Sequence, residues 1–191
     1  MDLQRLRPTV GLDLSAEALF HARRRGCRWL VRGDARNLPI KSGSVGLVTA
    51  LDLLEHLDDD EGALREMCRV LASGGRVFLT VPAHKFLWSE HDEALQHRRR
   101  YSLAELRGKV ERAGLKVERL TYAIFLLFVP TALFRLVQRV AGRRKKPRTA
   151  LIIFPWPINA AFTATLYIEA QLLKRFRLPM GVSLICIARK P

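Results

Sequence analysis

The chain has 191 residues, 49% of them hydrophobic and 27% charged, which excludes a disordered, collagenous or low-complexity polypeptide and suits one globular domain. Three scattered cysteines (Cys27, Cys68 and Cys186), none in a C-x-x-C pair, argue against a disulfide framework or a zinc ribbon. The formal net charge of +15 sits at one end: residues 1–118 carry 20 Lys+Arg against 17 Asp+Glu, and residues 119–191 carry 13 against one, Glu169.

Met1 to Pro8 has no apolar run of the signal-peptide kind, so a reducing, cytoplasmic setting is expected. Thr9 to Asp13 reads as a short strand ending in an acid. Ser15 is placed to cap a helix over Ala16 to Arg25, stopped by Gly26. Cys27 to Val31 is the next strand, closing at Gly33-Asp34, and Val45 to Leu51 is a third. Its continuous apolar character is that of a buried parallel strand.

Asp58 and Glu61 have capping-box spacing at the start of an acidic helix terminus. Leu64, Met67, Val70 and Leu71 then recur at helical spacing, and Gly74-Gly75 is expected to end that helix. Arg76 to Pro82 is a fourth strand. Ser102 and Glu105 form another capping-box pattern, opening a helix through Ala113. Leu115 to Leu120 and Val182 to Ala188 complete the strands. Such regular alternation predicts an open α/β fold, a mostly parallel sheet with helices on both faces. Ligands of these sheets sit at the carboxyl ends of the strands, which directs attention to Asp13, Asp34, Asp52 and the segment after Pro82.

Residues 121–178 break the pattern. Thr121 to Phe134 are 14 uncharged residues interrupted by Pro130, and Thr149 to Ile168 are 20 containing Pro155 and Pro157. Between them lie Arg135, Arg139, Arg143, Arg144, Lys145, Lys146 and Arg148. The first stretch is too short for a spanning helix and the second is broken near its start. Cations beside apolar helices suit an anionic membrane interface, with the protein peripheral at the inner face; a cap of helices packed on the sheet is the alternative. A nucleic-acid partner is not expected, because such a protein would spread its cations over the folded face among exposed aromatics.

The strand-end residues suggest chemistry. A carboxylate such as Asp13, closing a strand before a helix, can accept bonds from both hydroxyls of a ribose. Asp34 could accept from an adenine amino group, with the Ala35 backbone on the ring edge. His56, in Leu51-Asp52-Leu53-Leu54-Glu55-His56-Leu57, could take a proton or orient a cofactor, or be a partly buried structural histidine.

Gly11-Leu12-Asp13-Leu14-Ser15, Gly33-Asp34-Ala35, Leu38-Pro39, Glu55-His56-Leu57, Arg69 to Gly75 and Val81-Pro82 occur in order. Together they resemble the class I S-adenosylmethionine-dependent methyltransferases, in the type 11-like branch. The resemblance covers roughly residues 3–120, with Val182 to Ala188 similar to the closing antiparallel strand. It implies S-adenosyl-L-methionine as cofactor, with Asp13 and its neighbour Leu14 at the ribose, Asp34 and Ala35 at adenine, and Leu51, Asp52 and His56 near the reactive methyl group. It divides the chain into a core at 1–120, an apolar and basic insertion at 121–178 and a closing strand at 179–191. The segment His91-Asp92 to His97-Arg98-Arg99-Arg100-Tyr101-Ser102 resembles a loop that shapes the acceptor pocket in one subgroup; solvated charge is the other reading of the three arginines.

The resemblance also marks departures. The family's first strand and Gly-x-Gly-x-Gly turn would precede residue 3, so an N-terminally truncated core with two exposed strand edges is expected. Val45-Gly46 stands where the family carries an aromatic and an acid. In-line displacement at a sulfonium needs mainly alignment, with a base for hydroxyl or amine acceptors; His56, His84, His91 and His97 are the candidates. No metal site is expected, since the His and acidic residues of 84–97 lack ligand spacing. The functional expectation is methyl transfer to a lipid-linked or amphipathic acceptor; the alternative is a non-catalytic membrane-associated remnant.

Overall fold

The computed structural model describes residues 8–140 and 155–191. In chain order these form β1 (Val10–Asp13), α1 (Ala16–Arg24), β2 (Trp29–Arg32), β3 (Val45–Leu51), α2 (Asp60–Val70), β4 (Leu71–Pro82), α3 (Glu90–Ala94), α4 (Leu103–Arg112), β5 (Lys116–Ala123), α5 (Phe128–Val140), α6 (Trp156–Arg175) and β6 (Ser183–Arg189), with single 3-10 turns at Leu54–His56 and Lys85–Leu87. The basic residues Arg143, Arg144, Lys145, Lys146 and Arg148 lie outside the described residues, as does the start of the second apolar stretch.

The expected α/β fold forms. Strands β3 and β4 are parallel, and β6 inserts antiparallel between β4 and β5, giving the order β3-β4-β6-β5. Strands β1 and β2 make a separate parallel pair, with Val10 opposite Trp29 and Asp13 opposite Arg32. The sheet of the described residues is therefore in two pieces, each with unpaired outer edges. The consequence shows on β3, which the apolar pattern had suggested would be buried: Leu47 and Leu51 are 55% and 57% exposed, and Val10 of β1 is 52% exposed.

The core lies around β4 and β6. Val77, Leu79 and Val81 alternate inward along β4, Leu184, Cys186 and Ala188 along β6, and Leu64, Met67 and Val70 of α2 with Leu106 and Val110 of α4 pack against them. Each large apolar side chain buried there stabilises the fold by about 1.5–3 kcal/mol.

Helix ends follow local chemistry, with instructive shifts. Ser15 caps α1 by accepting the Ala18 amide at 3.2 Å. Helix α2 is capped by Asp59, which accepts the Gly62 amide at 2.7 Å, rather than by Asp58. It also stops at Val70, before the glycine pair, because Lys190 reaches the Leu71 carbonyl at 2.8 Å and the Arg69 carbonyl at 3.3 Å and the chain turns directly into β4. Ser102 caps α4, but Glu105 pairs with Lys85. A complete capping box forms instead at Ser89 and Asp92, on the short α3 that sequence periodicity did not reveal.

The 121–178 region contributes the end of β5, which runs to Ala123 rather than Leu120, and the helices α5 and α6. Glu169 of α6 is buried, and its carboxylate accepts the amides of Ile124, Phe125 and Leu126. Arg119 of β5 donates to the Leu173 and Phe176 carbonyls at the other end of α6. No helix among the described residues is long and apolar enough to cross a membrane.

Candidate functional site

Asp13 and Asp34 stand at neighbouring strand ends. The Asp13 carbonyl accepts the Gly33 amide at 3.1 Å, so the chain leaving β2 is held against the tip of β1. Asp13 Oδ1 accepts the Ser15 amide at 2.8 Å, which turns the chain into α1. Leu14 is exposed, and its carbonyl accepts from Arg32 Nε at 3.0 Å. Asp34 is gripped by Arg36 through Nε at 3.0 Å and Nη2 at 2.6 Å, and also accepts the Arg36 amide. These bonds hold its carboxyl at about 2, so it is ionised at any physiological pH. Ala35 is buried beside it.

The spacing from Gly33 to Pro39 has a packing cause. A methyl group on Gly33 would meet Pro39 Cδ at 2.9 Å and Leu12 Cδ1 at 3.2 Å. The loop is then fastened to α2: Glu66 accepts the Leu38 amide at 2.9 Å, and Arg69 donates to the carbonyls of Leu38 (2.8 Å) and Ile40 (2.9 Å). This Glu66–Arg69 clamp links the β1–β2 piece to the helix that follows His56.

On the other piece, Asp52 sits at φ +48, with its amide bonded to the Thr80 carbonyl and its carboxylate accepting from the Thr80 hydroxyl at 3.1 Å. Leu51 before it is exposed. Glu55 and Leu54 turn fully inward. Burial pushes the Glu55 carboxyl up to about 7. His56 lies edge-to-face with His97, ring centroids 4.8 Å apart, and burial lowers its pKa.

Residues 97–101 latch this loop in place, which corrects the reading of Arg98–Arg100 as solvated charge. Arg98 donates its amide to the Glu55 carbonyl and Nε to the His56 carbonyl, and pairs with Asp58. Arg99 donates to the Asp58 carbonyl and pairs with Asp60. Arg100 is buried against Asp92, at 2.7 and 3.2 Å, and donates to the Ala83 carbonyl. Tyr101, fully buried, donates to Asp60 at 2.7 Å. The sequence signal was the density of donors in one short run, and only the fold shows that each has a separate acceptor.

The remaining histidines diverge. His84, at φ +61, stacks on Tyr122 with rings 4.9 Å apart and 6° from parallel, beside Phe86 and Phe128. His91 lies on α3. Burial lowers the pKa of both. His97 bonds Asp92 through Nδ1 at 3.0 Å. Of the four, His56 and His97 come together, and His84 belongs to an aromatic cluster at the end of β4.

Residues 2–79 match the family model described as a methyltransferase domain. The chain superposes on the S-adenosylmethionine-dependent methyltransferase of Thermotoga maritima with a TM-score of 0.62 over 98% of this chain and 75% of that one, at 19% identity. The α/β unit shares the fold of that methyltransferase, and its residues 2–79 carry the family-model match.

A second solved structure, the phosphoethanolamine N-methyltransferase 2 of Haemonchus contortus in complex with S-adenosyl-L-methionine, shares the fold at TM-score 0.56 and 18% identity, over 95% of this chain and 43% of that one. A probable S-adenosylmethionine-dependent methyltransferase of Mycolicibacterium smegmatis is 35% identical over 59% of this chain and 45% of its own length. The demethylmenaquinone methyltransferase of Lactiplantibacillus plantarum is 37% identical over 40% of this chain and 35% of its own. The matches thus span less than half the length of these relatives.

S-adenosyl-L-methionine is the ligand of the Haemonchus contortus structure. In this chain a carboxylate stands at or just after the end of each of two adjacent parallel strands, with the buried Ala35 next to the second. Hydroxyl and amino donors are what such acceptors take. Thr80, which fixes Asp52, and Glu66, which with the motif residue Arg69 clamps the loop after Gly33, are supporting residues that the sequence motifs do not mark.

Proposed function

We propose that this chain transfers a methyl group from S-adenosyl-L-methionine to a small amphipathic or lipid-linked acceptor at an anionic membrane surface. The observation that carries the reading is the pairing of carboxylates on neighbouring strand tips, Asp13 for the ribose hydroxyls and Asp34 with Ala35 for adenine. Leu14, Leu51, Asp52 and His56 line the remainder of the cofactor's path. The cofactor supplies an activated methyl group on sulfur. The protein's part is to hold the two reactants in line and to accept a proton where the acceptor is a hydroxyl or amine. Burial keeps His56, His84 and His91 predominantly neutral near pH 7, the form in which an imidazole can take that proton. A relative named for demethylmenaquinone supports a small-molecule acceptor. Incubation of the chain with methyl-labelled cofactor and an anionic lipid extract is expected to move label into the organic phase. Label that stays wholly in the aqueous phase contradicts the lipid-linked acceptor.

Support for the surface comes from α5 and α6. Val129, Leu133, Leu136 and Val137 of α5 are exposed, as are Trp156 (80%), Tyr167 and Ile168 of α6, and Lys174, Arg175 and Arg177 follow in the same cationic segment. Exposed apolar helix surface rimmed by cations is the composition of interfacial binding. The chain is expected to sediment with vesicles of phosphatidylcholine and phosphatidylglycerol. Replacing Leu133 and Leu136 by Glu should weaken that binding roughly tenfold or more. Equal sedimentation of this variant would remove the surface from the proposal.

One observation favours a second reading, a non-catalytic membrane-binding module: the two sheet pieces leave Val10, Leu47 and Leu51 bare. Vesicle binding by a chain that takes up no cofactor would select that reading.

A further inference from the structure

Glu55, His56 and His97 each offer one ligating atom, and these atoms lie within 4.8 Å of one another. Glu55 is fully buried, yet neither of its carboxylate oxygens has a hydrogen-bond partner. An unpartnered buried carboxyl is costly, so the fold holds this group where it can serve only something placed beside it.

The His97 imidazole is already oriented from behind. His97 Nδ1 is 3.0 Å from Asp92 Oδ1, which leaves Nε2 to ligate. Asp92 is itself fully buried, held by Arg100 at 2.7 Å and by the Ser89 amide at 2.9 Å. A carboxylate behind a histidine is the arrangement that fixes tautomer and raises basicity in metal sites. Arg98 ties the Glu55 and His56 backbones together from outside, at 2.8 and 3.0 Å. The nearby Arg100 charge is offset by Asp92, and Asp52 adds negative potential at Glu55 and His56.

We propose that Glu55, His56 and His97 bind one divalent first-row transition metal cation of the zinc or cobalt class, with at least one coordination position open. Two imidazoles and a carboxylate favour such ions over magnesium or calcium, which prefer all-oxygen ligands. Ligands about 2.1 Å from a shared ion stand roughly 3–4 Å apart, so metal binding would draw these atoms closer together than the 4.8 Å that encloses them. The inference does not depend on methyl transfer, and its test uses neither cofactor nor acceptor.

The metal-free chain is titrated with Co2+ and followed by visible absorption and calorimetry. One equivalent is expected to bind, to be displaced by Zn2+, and to be indifferent to excess Mg2+. Glu55→Gln and His97→Ala should abolish the signal, Asp92→Asn should weaken binding about 10- to 100-fold, and His21→Ala, remote and exposed, should leave it unchanged. Circular dichroism checks that each variant is folded. In the unaltered chain, Zn2+ should shift the ring resonances of His56 and His97 and not those of His21. A folded chain that binds neither ion, binding that survives both Glu55→Gln and His97→Ala, or shifts confined to other histidines overturns the proposal.

Discussion

Asp60→Ala is expected to cost about 3–5 kcal/mol of stability, the range for removing one partner of a buried charged network. Asp60 is almost fully buried and receives Tyr101 Oη at 2.7 Å, Lys109 Nζ at 2.7 and 2.8 Å, and the charge of Arg99 at 3.3 Å. Its loss leaves a nearly buried ammonium and a fully buried phenol without their acceptor. Burial by itself would raise the Asp60 carboxyl, but Lys109 and Tyr101 outweigh it and the net shift is downward. A folded-state pKa below the unfolded one gives stability that is complete above the ordinary carboxylate range and is lost as pH falls through the lowered value. Urea unfolding as a function of pH should therefore show an acid-side loss that Asp60→Asn lacks. A pH profile shared by both proteins contradicts the assignment.

Glu169→Ala is the second large effect, about 3 kcal/mol. Glu169, the one acid of residues 119–191, accepts the amides of Ile124, Phe125 and Leu126 from a buried position. Hydrogen bonds to a charged acceptor are worth about 1.5–3 kcal/mol each in isolation, and three on one carboxylate do not add fully. Glu169→Gln keeps one acceptor oxygen and should lose about half as much. Denaturant unfolding checks the magnitude. Amide exchange checks the place: Phe125 and Leu126 should exchange faster while the β4 amides stay protected. Unchanged exchange at 124–126 would show that Glu169 is not the anchor between β5 and α6.

These two residues illustrate what the sequence could and could not reveal. Strand–helix alternation, the Ser15 and Ser102 caps and the acids after β1 and β2 are local signals, and all were legible. The acidic run 58–60 was not, because any of its members can cap a helix. Arg98 takes Asp58 and the Tyr101–Lys109 pair takes Asp60, which leaves Asp59 as the cap. Arg98–Arg100 resembled solvated charge because their acceptors are distant in sequence. The Glu55–His56–His97 cluster is hidden in the sequence for the same reason: Glu55 and His56 lie on the β3–α2 loop, far along the chain from His97. β3 looked like a buried strand, and its apolar pattern contains nothing about whether a neighbour covers it.

Binding of an adenosine by the carboxylates that follow β1 and β2, Asp13 and Asp34, is tested most directly by calorimetric titration with S-adenosylhomocysteine. One saturable site is expected, weakened about 10- to 100-fold by Asp13→Ala and by Asp34→Ala, with both variants folded. Binding of equal strength in the unaltered chain and in both variants, or no binding to the folded chain at all, would contradict it.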